Sequence, residues 1–246
     1  MDNLVGKFAC MRTLIIILLF FNGNVTGQVS TSIDIRLPSD QGYGSVNYNN
    51  PSELGVKKPV TVDNDEIAGS PFWKKDWNTA YVFLASGGIV KLSSIKLNLL
   101  SNEIYFLDTD NGIKSADASN ISKIIFIDKS DSLKALAVFQ KLNYENNVFL
   151  QVLNSGDNQL LKATKISVVK RGYNALLGKD EYAYDLKTVY YLFHSAQISK
   201  VDVLNREHLV ALLDFSDGYN KWLEENKNKL RGETDWVNFL NYYNSK

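Results

Sequence analysis

The distribution of proline constrains this chain more than any other feature. All four prolines, Pro38, Pro51, Pro59 and Pro71, precede Phe72, and none lies between Phe72 and Lys246. Proline removes a backbone donor and breaks both helices and central strands, so residues 28–71 read as an extended arm or loose loop. Gly42-Tyr43-Gly44 and Asn47-Tyr48-Asn49-Asn50 fit a solvated linker, with an aromatic ligand-binding loop as the alternative. Val60-Thr61-Val62 could add an edge strand.

After Phe72, runs of β-branched and aromatic residues alternate with turn residues, the pattern of successive antiparallel strands. Thr79 to Ala85 reads as a strand turned by Ser86-Gly87-Gly88, followed by Ile89 to Leu100 and then Glu103 to Leu107. Asn111-Gly112 suits a tight hairpin needing positive φ. Ile121 to Ile127 is a further strand. Leu133 to Leu142 carries helix-favouring alanines but sits between turns, and strand is preferred. Val148 to Leu153 runs into the turn Ser155-Gly156-Asp157-Asn158, and Leu160 to Val169 and Glu181 to Phe193 complete the series.

The period changes near residue 205. Asn205 is placed to cap a helix containing Leu209, Leu212 and Leu213. Ser216 is placed to cap a second one reaching Leu230, with Lys227 and Lys229 near its negative end and Gly232 as its stop. Thr234 opens a third with Trp236, Phe239, Leu240 and Tyr243 on one stripe, spaced for burial. The expected fold class is α+β, mainly β: an antiparallel meander of roughly seven to ten strands, partly closed or barrel-like to avoid bare edges, with two to three C-terminal helices. The expected organisation is a signal peptide at 1–27, the arm at 28–71, a β domain at 72–204 and a helical cap at 205–246.

The start of the chain specifies where the protein works. Lys7 and Arg12 precede the unbroken apolar run Leu14 to Phe21, and Val25-Thr26-Gly27 offers a signal-peptidase site after Gly27. Eight helical residues rise about 12 Å, well short of the roughly 30 Å hydrocarbon core, so the run is a leader and not a span. Met11 is a second candidate start. Of 246 residues, removal of 27 leaves 219, which carry 25 basic and 26 acidic side chains and have lost Cys10, the only cysteine. Cys10 precedes the apolar run, so it is not placed for lipoprotein acylation. The mature chain is then expected to be periplasmic or extracellular, without disulfides, and held together by core burial. Balanced charge argues against a nucleic-acid binder, which needs a basic excess.

Ala68-Gly69-Ser70-Pro71-Phe72-Trp73, with Trp77 and the segment Leu97-Asn98-Leu99-Leu100-Ser101-Asn102-Glu103-Ile104-Tyr105-Phe106, resembles a set of exported β-rich proteins of Bacteroidota-type bacteria that have no assigned activity. Those chains share the Gly-Ser-Pro-aromatic entry, β-hairpins and a helical tail like Trp236 to Asn244. The resemblance implies export and a sheet with a helical end; its motifs are structural and carry no site residue.

Chemistry-bearing patterns are few. His194 directly precedes Ser195 on an expected strand, where neighbours point to opposite faces, so the two are badly placed as base and nucleophile. His208 lies in the first turns of a helix. Neither histidine has a short-range ligand partner for zinc. Asp108-Thr109-Asp110-Asn111-Gly112 puts glycine fifth where a calcium loop needs it sixth. Asp63-Asn64-Asp65-Glu66 fits a solvated acidic turn better than a cation site. Ser86-Gly87-Gly88 is too short to cradle phosphate. Trp73 and Trp77, four apart, are expected to plug an open sheet end, with sugar or peptide stacking as the alternative.

No catalytic, cofactor-binding or metal-binding residue is therefore nominated, and no cofactor is expected. The reading is an exported, non-enzymatic binding or structural module of the cell envelope, with an envelope protein or glycan as partner. The alternatives are a carrier or sensor enclosing an apolar ligand between sheet and helices, and a carbohydrate-active enzyme using paired carboxylates.

Overall fold

The computed structural model describes residues 46–48, 54–59, 67–108, 110–116, 118–128, 134–142, 148–213 and 216–246. All of them belong to one compact unit, Thr31–Lys246. The leader expected at 1–27, most of the arm, Val60-Thr61-Val62 and Asp63-Asn64-Asp65-Glu66 lie outside the described residues.

The protein is mainly β: the described residues form thirteen strands in one mostly antiparallel sheet that does not close, and three C-terminal helices. The arm contributes three short strands: β1 (Val46–Tyr48), β2 (Val56–Pro59) and β3 (Ile67–Ala68). Among the described residues β2 pairs only with β7, at the edge of the sheet, a position where proline is tolerated. β4 (Asn78–Leu84), β5 (Ile89–Asn98), β6 (Glu103–Leu107) and β7 (Ile113–Ala116) form one meander. β8 (Ile121–Ile127), β9 (Ala135–Lys141), β10 (Phe149–Val152), β11 (Gln159–Asn174), β12 (Lys179–His194) and β13 (Gln197–Val201) form a second. The two are joined where β8 pairs with β4. The ambiguous segment after Leu133 is the strand β9, as preferred.

That order forces the first meander to curl. β7 and β8 are separated in the sheet by β6, β5 and β4, about 19 Å if the sheet were flat. The connection runs from Ala116 to Ile121 and contains a 3-10 turn, Ala118–Asn120. At roughly 2 Å of rise per residue such a turn cannot reach across a flat sheet. The strands therefore wrap around Leu97, Ile104, Phe106, Ala116, Ile124 and Phe126, which share one cluster.

Burial follows strand alternation. Ile124 and Phe126 face that first cluster, while Ile125 and Ile127 face another with Tyr81, Val138, Leu150 and Leu161 on the opposite side of the sheet. β8 is thus apolar on both faces, which is why Ile-Ile-Phe-Ile reads as a continuous run and not as an alternation. A third cluster lies under the helices α1 (Arg206–Leu212), α2 (Asp217–Glu225) and α3 (Glu233–Asn244), where Leu209, Leu223, Trp236 and Phe239 pack on Leu160, Leu192 and Val201. Trp236 Nε1 is buried there without a hydrogen-bond partner among the described residues.

Asn205 caps α1 as expected, its Oδ1 accepting from His208 N at 2.9 Å. α2 differs from expectation. It stops at Glu225, five residues before Leu230, because Lys227 turns left-handed at φ 50°. Asn228 N then donates to Leu223 O at 2.9 Å and Lys227 N to Glu224 O at 3.1 Å, the two bonds of a Schellman ending with lysine where glycine is usual. Gly232, expected to stop α2, stands instead at the N-cap of α3 with φ 90°.

Candidate functional site

Three places bring polar or exposed apolar groups together. The first is at His194. β12 and β13 are joined by the two-residue turn Ser195-Ala196, flanked by the pair His194–Gln197, and both turn residues have positive φ, 49° and 60°. This is the primed geometry that matches the twist of a hairpin, adopted without glycine at roughly 1–2 kcal/mol per residue. Strand alternation ends at His194, so the expectation that Ser195 points away from it is overturned: Ser195 Oγ lies 3.1 Å from His194 Nε2. His194 Nδ1 contacts Asn158 Oδ1. Asn158 Nδ2 donates to Asn244 Oδ1 at 2.7 Å, which leaves Asn158 Oδ1 to accept from His194 and His194 Nε2 to accept from the serine hydroxyl.

The same asparagines fasten the end of α3 to the β10–β11 turn. Asn244 Nδ2 donates to Ser155 O at 2.7 Å and Asn158 O at 2.9 Å, and Asn154 Oδ1 accepts from Leu160 N at 2.7 Å. Gly156 makes this approach possible: its φ is +103°, and a Cβ there would lie 2.5 Å from Asn244 Nδ2. In the sequence these asparagines read only as turn and tail residues, because nothing local relates positions 158 and 244.

The second place is an open cleft of about 580 Å³ between β12, β13 and the start of α3, lined by Lys187, Tyr190, Lys200, Asp202, Gly232 and Glu233. Glu233 Oε2 accepts from Lys162 Nζ and from Tyr190 Oη, each at 2.8 Å. Burial, then the bond to Glu233, holds the Tyr190 phenol well above its usual range. Asp202 and Glu233 both line the cleft. A general acid, however, needs a raised carboxyl, and the Lys200 ammonium at 2.8 Å holds Asp202 below the ordinary range. A second open cleft of about 620 Å³ lies beside β11 and is lined by Leu99, Asn102, Phe149 and Thr164.

The third is the β11–β12 hairpin. Its strands are sixteen residues each, where Leu160 to Val169 and Glu181 to Phe193 were expected. A bulge between Lys170 and Gly172 absorbs an irregularity just beyond Val169, and the ladder continues to Asn174–Lys179. The face that the helices cover at Leu160/Leu192 runs on as the cross-strand pairs Ile166–Leu186, Val168–Tyr184 and Lys170–Tyr182. Leu186 is 60% exposed, Val168 42% and Tyr182 41%.

The remaining residues singled out from sequence have structural places. Trp73 packs on Phe126 and Phe139 with ring centroids 4.7 and 5.3 Å away, and Lys96 Nζ lies 4.6 Å over the ring of half-buried Trp77. His208 Nδ1 is 3.2 Å from the capping Asn205 Oδ1. Asp108 pairs with Lys114 across the β6–β7 turn, where Asn111 has φ 56°. Among the described residues no group of three or more His, Cys, Asp or Glu could hold a metal ion, and no helix is long and apolar enough to cross a membrane. No protein-family model, no curated protein and no solved structure matches this chain.

Proposed function

We propose that this chain is an exported, non-enzymatic docking module of the cell envelope that offers the β11–β12 hairpin to a partner. The observation that carries the docking reading is the apolar face of that hairpin, which continues past the helical cap as half-buried Ile166 and Tyr184 and exposed Val168 and Leu186. Contiguous exposed apolar surface on a folded chain marks an interaction site. The basic residues and short apolar run before Gly27 support export, and the resemblance to exported β-rich proteins points the same way. Tyr182 and Tyr184 suit an apolar protein surface or the face of a glycan. The layer in which a carrier would hold an apolar ligand is filled by Trp236, Phe239, Leu209 and Leu223, which disfavours that alternative.

A photo-crosslinking residue at position 186 should yield an adduct with an envelope component in intact cells, and one at Gly87 should not. Absence of a position-dependent adduct would remove the docking reading. Intact mass of protein from the exported fraction tests the leader: retention of residues 1–27 would sink export.

A second reading has one observation in its favour. Ser195, His194 and Asn158 form the chain nucleophile–base–orienting amide, with the serine held in a strained turn. Acyl transfer at Ser195 predicts labelling by a fluorophosphonate probe that Ser195→Ala and His194→Ala abolish. An unlabelled folded protein would leave the cluster as the fastening of α3.

A further inference from the structure

One stretch of sheet edge has no strand beside it. Among the described residues β13 pairs with β12 over Tyr190–His194 and β3 over Tyr182–Ala183, which leaves Asp185, Leu186, Lys187 and Thr188 unpaired on that side. All four are exposed, so both faces are bare here. Leu153 N donates to Leu160 O, which turns the Leu160 backbone toward β10. Alternation along the ladder then aims the N–H and C=O of Leu186 and Thr188 out of the sheet. Bare backbone groups of this kind are a template for another strand. The open cleft lined by Lys187, Thr188 and Val189 lies at one end of the gap. Gly69, whose Cβ would stand 3.6 Å from that of Tyr184, closes the other.

A segment that matches this gap lies in the chain before Val46, the first described residue. Ser32-Ile33-Asp34-Ile35-Arg36-Leu37 alternates polar and apolar residues at the strand period and is followed by Pro38. On β12, Thr188, Leu186 and Tyr184 share the face of Leu192, which the helices cover, while Lys187 and Asp185 stand on the other. Neither Asp185 nor Lys187 has an ion pair among the described residues, and Lys187 lies opposite Lys165 on β11. Antiparallel pairing of Ile35 with Leu186 puts Ile33 beside Thr188, Asp34 beside Lys187 and Arg36 beside Asp185. Slipping that pairing by two residues brings Arg36 to Lys187 or Asp34 to Asp185, like charge against like. Parallel pairing at the same centre makes both of those contacts at once. Shifted parallel registers run into Gly69 or into Val201.

We infer that residues 33–36 of the same molecule add to β12 as an antiparallel edge strand opposite residues 185–188, with Ile35 exchanging both backbone bonds with Leu186 and Ile33 with Thr188. Pro38 lacks a donor and ends the strand where Gly69 already lies against Tyr184. The steps from Leu37 to Val46 can span about 30 Å. Crossing a flat sheet from β1 to the open edge would take about 38 Å, a path that the curl of the first meander shortens. The inference goes beyond the docking reading and does not depend on it, because docking uses the face of the hairpin and this strand uses its edge.

The test uses the full chain as C10S/D34C/K187C under mild oxidation. Positions 34 and 187 would form a non-hydrogen-bonded pair, the closer kind, so they should join in a disulfide within one molecule. In the same C10S background, the out-of-register pair D34C/D185C and the opposite-face pair I35C/K187C should join about tenfold less or more weakly still. Site-resolved amide exchange gives a reading free of cysteine. In the parent the Leu186 and Thr188 amides should be protected, and I35P should speed their exchange about tenfold or more. The Lys187 amide, which faces β11, should keep its protection and so show that the variant folds. Equal joining of the three cysteine pairs, a disulfide found only between copies, or Leu186 and Thr188 amides that exchange as fast in the parent as in I35P would each overturn the inference.

Discussion

β8 and the distal half of the β11–β12 hairpin are both antiparallel strand, yet they are held in opposite ways. β8 has a strand on each side and an apolar cluster on each face, so Ile124, Ile125 and Phe126 are fully buried. Beyond Lys165 and Lys187 the hairpin has its own partner strand and, among the described residues, only the two-residue β3 beside β12. A two-stranded ribbon is marginal alone in water, so this half draws its order from the base to which it is tied. The same backbone pairing thus supports the fold in one region and extends it in the other, where side chains are available to a partner.

Five substitutions would break or sharpen that contrast. Phe126→Ala should cost about 3–5 kcal/mol in chemical denaturation, because the cavity would open between two walls that cannot collapse together. A cost near that of a surface change would mean that β8 is not the centre of stability. Gly156→Ala should cost about 2 kcal/mol or more, from strain at φ +103° and the clash with Asn244, and should raise hydrogen exchange in α3. Unchanged exchange in α3 would show that the asparagine cluster does not fasten it.

At the boundary of the two regions, Tyr190→Phe should cost about 1 kcal/mol at neutral pH by removing the bond to Glu233. The phenol's pKa is raised on folding, so its contribution is complete below the free-phenol value of about 10 and is lost as pH rises through the folded value. The phenylalanine variant should lose that alkaline dependence, and an identical alkaline fall in both proteins would refute the assignment. Lys227→Gly should stabilise by about 0.5–1 kcal/mol, since glycine adopts the left-handed ending of α2 without strain. Replacing residues 166–186 with Asn-Gly should have the smallest effect, leaving the thermal midpoint within a few degrees, the size of a sub-kcal/mol change. A large drop would show that the distal ribbon stabilises the body and is not merely carried by it.

The legible parts of the fold are those with a local cause. Ile121–Ile127, the Asn205 cap, the Ser86-Gly87-Gly88 turn and the helical stripe of α3 follow from side-chain period and turn chemistry within a few residues. The hairpin's length was hidden because Lys170-Arg171-Gly172 signals a break equally well as a bulge. The Ser195–His194–Asn158 cluster was hidden twice, by a turn that uses serine and alanine where glycine is usual and by a partner 36 positions earlier in the chain.

By itself the sequence determined that residues after Phe72 form strands and then helices, because proline, β-branched residues and caps act on the backbone at their own positions. Only the tertiary structure decided that β8 returns beside β4, that α3 ends against the β10–β11 turn, and that the helices leave half of the long hairpin bare. Those outcomes depend on which distant surfaces fit together and on how far each covering element reaches. Periodicity reports that a face is apolar, but not what covers it.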